Sequence, residues 1–586
     1  MPAPEIALTE RFQTAFAAAF GPEYADADPI IRPSQFADFQ CNAAMGLAKR
    51  LGRAPREIAA QIVEAVDLSD LAEAPEIAGP GFLNIHLRTD WIAARTAEIA
   101  APGAALGVPA PERAETVVLD YSAPNVAKEM HVGHLRTTVV GDSIARTLEK
   151  LGHTVVRQNH IGDWGTPFGM LIEHLLEVGE DSAEAGLLTT DPNAFYQAAR
   201  AKFDASEAAE DGETGFAARA RRRVATLQSG DAESLRIWTH LVGLSKEYFH
   251  RIYDMLDVTL TDADLAGESS YNDQLEAVCA DLEADGIARL SDGALCVFPE
   301  GFTGRDEQPL PLIIRKSDGG YGYATTDLAA LRHRVRDLGA DRIGYVVGTA
   351  QELHFRMVFT SAREAGWLPE QVQAEHVKIG SVLGEDGKIL RTRSGASLRL
   401  MALLEEAVAA ARAVIDELRP DLPEDERARI AHDIGIGGVK YADLSTAHDS
   451  DYTFDLERML ALTGNTAPYL QYAVARIRSI GRKAAAQGVA AGAAPRVQDD
   501  AERALALQLL EFGPTLASVG AEFEPHRLCA YLFSLAQAFT SFYEASPILK
   551  EADEQVRAGR LALAQLTERV LVEGLDALGV NAPQQM

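Results

Sequence analysis

The sequence predicts an α/β protein: a Rossmann-type parallel-sheet domain with a helical insertion, a small α+β domain before it and an all-α region after it. Three observations carry this. TVVLDYS, from Thr116 to Ser122, is a short β-branched strand; Val140, Ile144, Leu148 and Leu151 follow at helical spacing; and TVVRQNH, from Thr154, is a second strand, so the three make a βαβ unit. Strand-like segments return in PLIIRKSDGGYGYATTD, RIGYVVGTAQ and HVKIGSV. After about Asp451 the spacing is helical to the last residue.

The elements follow in order. Residues 1–106 form the α+β unit, with helical spacing in NAAMGLAKRLG and EIAAQIVEAV and a strand in PGFLNIHL. GVPAPERAE, from Gly107, is Pro-rich and polar and marks a boundary. The sheet domain covers 115–380, and Gly152 is placed to stop its first helix. From about 173 to 305 the chain reads as mostly charged helix, including FAARARRRV and EAAEDGE, and is taken as the insertion. Residues 381–455 read as a loop and linking region, and 456–586 as the helical domain. There AAAQGVAAGAAP, from Ala484, is a flexible connection, and Leu528, Leu532, Leu535, Phe539 and Phe542 make a stripe for core packing.

The 586 residues suffice for several cores. Acidic residues outnumber basic ones, 86 to 55, for a formal charge of -31. A uniformly anionic surface repels nucleic acid, so an RNA partner requires basic residues gathered locally. Arg476, Arg478, Arg482 and Lys483 offer such a strip; a solvated helix face is the other reading. The start, MPAPEIALTE, lacks the basic and apolar regions of a signal peptide, and no stretch reads as a transmembrane helix. Cys41, Cys279, Cys296 and Cys529 are scattered, which suits a reducing cytoplasm and no metal site.

The chemistry concentrates at the first strand–helix turn, His131-Val132-Gly133-His134. A helix N-terminus carries free N–H groups and partial positive charge and so favours phosphate. Gly133 allows close approach of a flat ligand, and the two histidines can donate to one anion. Lys128 adds a mobile positive charge. These residues point to ATP; a helix cap or a packed surface residue is the other reading of the histidines.

DYSAPNVAKEMHVGHLR, from Asp120, resembles the first signature of class I aminoacyl-tRNA synthetases in its arginine-specific form, and HIGDWGTPFG, from His160, is similar to the next block. GYATTD, VVGTAQELH, GEDGKILRTRSG, VKYADLS, GNTAPYLQYAVARI, EPHRLCAYLFSLAQAFTSFY and EGLDALGVNAP match in order, so the resemblance spans nearly the whole chain. It implies a ligase that activates L-arginine with ATP, Mg2+ arriving on the ATP, and transfers it to tRNA(Arg), with tRNA needed for activation. It implies a cytoplasmic monomer with no membrane partner. His131, His134 and Lys128 become the catalytic residues.

An arginine pocket has its own chemistry. A guanidinium is a planar fork of donors that calls for a carboxylate in bidentate contact. Tyr323 and Asp327, four apart, share one face of a helix and offer a ring to stack on and a carboxylate to pair with. A half-buried aromatic and an N-cap is the other reading of that pair. The resemblance assigns Tyr323, Asp327 and Gln351 to the arginine side chain, Asn125 and His131 to its backbone end, and Asp120 to a position facing the substrate. It places the second synthetase signature at Gly384–Gly395, with Lys388, Arg393 and Ser394 at ATP. The usual second lysine is absent there, and Lys128 takes over part of its charge. Gly387 reads as the turn of a basic hairpin. In the helical domain, Tyr543 and Met586 match positions facing the anticodon loop, with Tyr469 or Tyr472 contributing; aromatic rings stack on splayed bases. The N-terminal unit resembles a tRNA-elbow domain.

Overall fold

The computed structural model describes residues 3–209, 212–304, 307–317, 319–390 and 398–586. Its centre is a four-stranded parallel sheet in the order Gln373–Ile379, Arg342–Gly348, Thr116–Asp120, Thr154–Gln158. The first of these strands along the chain, Thr116–Asp120, lies inside the sheet, and its Val117, Val118 and Leu119 are wholly buried. A strand covered on both faces reads as a continuous apolar run, as this one does. The chain moves to one side for its second strand and to the other for Arg342–Gly348. The resulting crevice opens at the carboxyl ends of two adjacent strands, where α/β sheets bind ligands.

The first helix, Val132–Lys150, passes through the middle of the molecule, and Gly152 ends it at φ 90°. It packs so closely that a Cβ on Gly141 would lie 2.4 Å from Tyr121. Its Arg136 is fully buried and donates from Nε to Asp443 at 3.0 Å and from Nη1 to the Ser450 carbonyl at 2.7 Å. Desolvation pushes the buried Asp443 carboxyl up, against the pull of Arg136.

The insertion is helical where expected, with Thr166–Val178, Pro192–Ala208, Phe216–Gln228 and Ala232–Leu256. Its basic helix lies against acids: Arg219 and Arg223 pair with Glu173, and Arg221 with Glu207. The expectation of helix as far as 305 needs correction. Ala288–Ser291 and Ala294–Val297 form a hairpin, and Leu312–Arg315 joins it in a separate antiparallel sheet rather than extending the parallel one. The hairpin turns on Asp292-Gly293, at φ 49° and 79°, the pairing that a two-residue turn favours. The linking region also holds more than loop. Helices Leu400–Leu418 and Glu424–Leu444 pack along one another there.

Five helices from Ala467–Ala486 to Glu554–Ala577 follow, and the Leu528–Phe542 stripe is buried in their core. The stretch Asp500–Glu522 is, contrary to expectation, long and apolar enough by composition to cross a membrane. It is two helices broken at Glu511, with half of its window buried in the protein. The N-terminal unit is a four-stranded antiparallel sheet with helices, including the expected Phe82–Ile85 strand. It docks on helix Asp500–Leu510, where Arg503 reaches Asp38 and the Leu87 carbonyl. All four cysteines are buried and unpaired, and burial pushes the Cys41 thiol up to about 12 and that of Cys279 to about 11.

The Arg136–Asp443 pair makes a measurable demand. Asp443→Ala leaves a guanidinium buried without its counter-charge and lowers unfolding free energy by about 3–5 kcal/mol in denaturant titration. The double variant R136M/D443L is expected to lose less than D443A alone.

Candidate active site

The first strand ends at Asp120, and the turn that follows delivers His131 to the N-cap of helix Val132–Lys150. The two histidines cap the helix reciprocally. Gly133 N–H donates to His131 Nδ1 at 3.1 Å, and His131 N–H donates to His134 Nδ1 at 3.1 Å. A ring nitrogen that accepts carries no proton, so in each neutral imidazole the proton sits on Nε2. Desolvation, helped by Lys128, depresses His131, and burial takes His134 down to about 3. The turn therefore presents two Nε2–H donors, on rings 4.1 Å apart, at the positive end of a helix. Gly133 does more than admit a ligand. A Cβ there would lie 2.8 Å from the His131 ring, so glycine is what lets that ring fold back on the helix.

The loop before the turn is strained and held from several sides. Ser122, Ala123 and Ala127 have φ of 70°, 44° and 58°, uncommon for non-glycine residues and frequent at functional sites. Asn125 is exposed, and the backbone beside it pairs with Gly162 of the HIGDWG segment: Val126 N–H donates to the Gly162 carbonyl, and Gly162 N–H to that of Pro124, each at 3.1 Å. Lys128 is not free. Its Nζ lies 4.3 Å from the centre of the Tyr196 ring, on insertion helix Pro192–Ala208.

Tyr323 and Asp327 do share a helical face, at the start of helix Tyr323–Arg336, and the contact that joins them is one the sequence reading passed over. His354 Nε2 lies 2.5 Å from Asp327 Oδ2, and its ring meets that of Tyr323 edge-on at 4.9 Å. His354 thus holds one oxygen of Asp327, while the Tyr323 ring, 68% exposed, presents itself to the crevice. Gln351 is exposed in the single turn that follows strand Arg342–Gly348. Asp120 is buried, its Oδ2 accepts from Nη2 of the wholly buried Arg334 at 2.7 Å, which anchors the helix of Tyr323 and Asp327, and its Oδ1 has no hydrogen-bond partner among the described residues. A carboxylate in the interior needs a partner, and Arg334, two helical turns beyond Asp327, supplies it. His354 had a faint signal, three residues after Gln351; Arg334 had a better one, seven after Asp327.

The second signature is described in part. Gly387, at φ 71°, makes the expected turn, and the Lys388 carbonyl accepts from Gly384 N–H at 2.8 Å. Arg393 and Ser394 lie outside the described residues. Just beyond, Leu398–Leu400 runs against the first signature: Val132 N–H donates to the Leu398 carbonyl at 3.1 Å, and Leu400 N–H to that of Met130 at 3.0 Å.

The candidate anticodon residues differ in exposure. Tyr472 is 48% exposed, whereas Tyr469 packs on Phe533, and Arg476 covers the Tyr543 ring at 4.2 Å. Of the basic strip, Arg478 is engaged internally with Glu568 and the Ala582 and Pro583 carbonyls, and Arg482 donates to the Gln584 carbonyl. Arg419 donates to the Met586 carbonyl at 2.9 Å. Arg482 and Lys483 are the exposed members of the strip, and Arg476 is half-buried.

A parallel sheet with two histidine donors at its first strand–helix turn is a nucleotide-binding domain suited to holding phosphate. Residues 100–456 match the family described as tRNA synthetases class I (R), catalytic domain, residues 470–586 the DALR anticodon binding domain, and residues 7–87 the arginyl tRNA synthetase N terminal domain. The chain belongs to the arginyl-tRNA synthetase family. It is 64% identical over 583 residues to the arginine–tRNA ligase of Thermobifida fusca, covering 100% of both chains, and 50% identical to that of Frankia casuarinae, covering 96% of both. The arginyl-tRNA synthetase of Plasmodium falciparum superposes with a TM-score of 0.84 at 26% identity over 100% of both chains. That of Thermus thermophilus gives 0.81 at 25% identity, covering 99% of this chain and 100% of the other.

The reciprocal cap predicts a spectroscopic result. The 15N shifts of His134 are expected to stay those of a neutral Nε2–H imidazole from pH 8 down to pH 5. Its folded pKa lies below the unfolded value, so whatever stability the neutral ring contributes is present above pH ~6.5 and is lost as the pH falls from there towards the folded value. A His134 signal that titrates near pH 6.5 overturns the assignment.

Proposed function

We propose that this chain carries out the reaction its family is named for: it activates L-arginine with ATP to arginyl-adenylate and transfers the arginyl group to the 3′ end of tRNA(Arg). The observation that carries the arginine assignment is Asp327, one oxygen held by His354 and the Tyr323 ring beside it. That pairing suits a planar guanidinium and not a compact ammonium. Gln351 and Asn125, both exposed, complete the amino-acid contacts with His131.

In the first step the arginine carboxylate attacks the α-phosphate in line and pyrophosphate leaves. The Nε2–H groups of His131 and His134 donate to phosphate oxygens as charge develops, and the Gly133 backbone allows the nucleotide to approach. Lys128 supplies positive charge, with Lys388, Arg393 and Ser394 from the second signature. Mg2+ arrives on the ATP; the side chains of this turn are N–H donors and a cation, which complement phosphate rather than a hard metal ion. In the second step the 2′-hydroxyl of the terminal ribose attacks the adenylate carbonyl. Both steps run on positioning and charge stabilisation, with no protein nucleophile. Tyr469, Tyr472, Tyr543 and Met586 take the anticodon loop. The chain works as a cytoplasmic monomer.

Two measurements test this. Pyrophosphate exchange is expected with arginine and ATP only when tRNA(Arg) is present, and exchange driven by another amino acid would remove the arginine assignment. Asp327→Asn is expected to raise the KM for arginine by about 10- to 100-fold, the loss of one charge-assisted hydrogen bond of about 1.5–3 kcal/mol. The KM for ATP should move little.

A further inference from the structure

The loop that carries Lys128 is gripped by the helical insertion at successive residues. Ala127 N–H donates to Ser245 Oγ, on helix Ala232–Leu256, at 2.9 Å. The Lys128 ammonium lies over the Tyr196 ring. Glu129 pairs with Arg399 Nε at 2.8 Å, and Arg399 Nη2 reaches Asp191 at 3.1 Å. Asp191 is the N-cap of the helix that bears Tyr196, with its side chain accepting from Ala194 N–H. The first turn and a half of one insertion helix therefore holds Lys128 directly and Glu129 through Arg399. Beneath this, Tyr253 takes Ser122 Oγ at 2.8 Å and Asn159 Nδ2 at 2.9 Å, fixing the near end of the same loop.

This arrangement costs the loop its preferred backbone, as the positive φ at Ala127 shows. A non-glycine residue keeps such a conformation only where its surroundings impose it. A lysine on a four-carbon stem is otherwise free to sample many rotamers, and an aromatic face limits them while leaving the ammonium charged.

We propose that Tyr196 of the insertion is a positioning residue for ATP: its ring holds the Lys128 ammonium at the edge of the His131–His134 turn, and Asp191–Arg399–Glu129 locks the backbone beside it. The insertion is then a working wall of the nucleotide site. This rests on the role given to Lys128 above, and the experiment separates the two.

Steady-state exchange is measured with tRNA(Arg) present for Y196L, Y196F, K128A and Y196L/K128A. A ring contact with a partly buried cation is worth about 1–2 kcal/mol, so Y196L is expected to lower kcat/KM for ATP about 5- to 30-fold with the KM for arginine unchanged. Y196F keeps the aromatic face and is expected within about twofold of the parent chain, an order-of-magnitude margin for a retained ring contact. In the K128A background Y196L is expected to add nothing, since the two residues act through one contact. Additive losses, or a loss in Y196L that Y196F shares, mean that Tyr196 only supports the fold and overturn the inference. If K128A lowers kcat/KM and Y196L does not, the inference falls and the role of Lys128 stands. If K128A has no effect, both fall.

Discussion

The reciprocal cap of His131 and His134 is the interaction on which the site depends. Two amides at the start of a helix need acceptors, and the imidazoles provide them from within the same turn. Accepting at Nδ1 leaves each proton of the neutral rings at Nε2, and desolvation disfavours the charged form of both. One local hydrogen-bond pattern thus sets the tautomer, the charge and the presentation of both donors. It also explains the glycine between them, since any side chain at 133 would strike the folded-back ring of His131.

The rest of the molecule holds that turn in place. The parallel sheet brings it to the mouth of the crevice, the buried Arg136–Asp443 pair ties its helix to the linking helices, and Leu398–Leu400 lies along it as a short antiparallel strap. At the end of the strand that leads into the turn, the Asp120–Arg334 pair does the same for the helix of Tyr323 and Asp327. Buried charges serve here as fasteners between elements, each paired with a partner distant in sequence.

Local pattern made much of this legible. The βαβ unit, the glycine stop at 152, the stripe through Phe542 and the pairing of Tyr323 with Asp327 on one face all follow from spacing of a few residues. What was missed depends on tertiary contact. Nothing near Asp120 in the chain announces that Arg334 will neutralise it, or that Tyr196 will cover Lys128, because 214 and 68 residues separate the partners. The Ala288–Val297 hairpin was a different miss. Its Asp292-Gly293 turn was readable but lay among charged residues that suggested helix. The overall charge of -31 is no guide to an RNA surface, since a sum carries no information on where the exposed Tyr472 and the outward cations lie.

The four cysteines bear on how the molecule can be handled. Each is buried and unpaired, Cys41, Cys279 and Cys529 in three different cores, and burial pushes every thiol up, away from the reactive thiolate. The native surface is therefore silent to thiol reagents. A single cysteine introduced on an exposed loop would take a fluorophore or spin label selectively, with no need to strip the natural thiols from their packing.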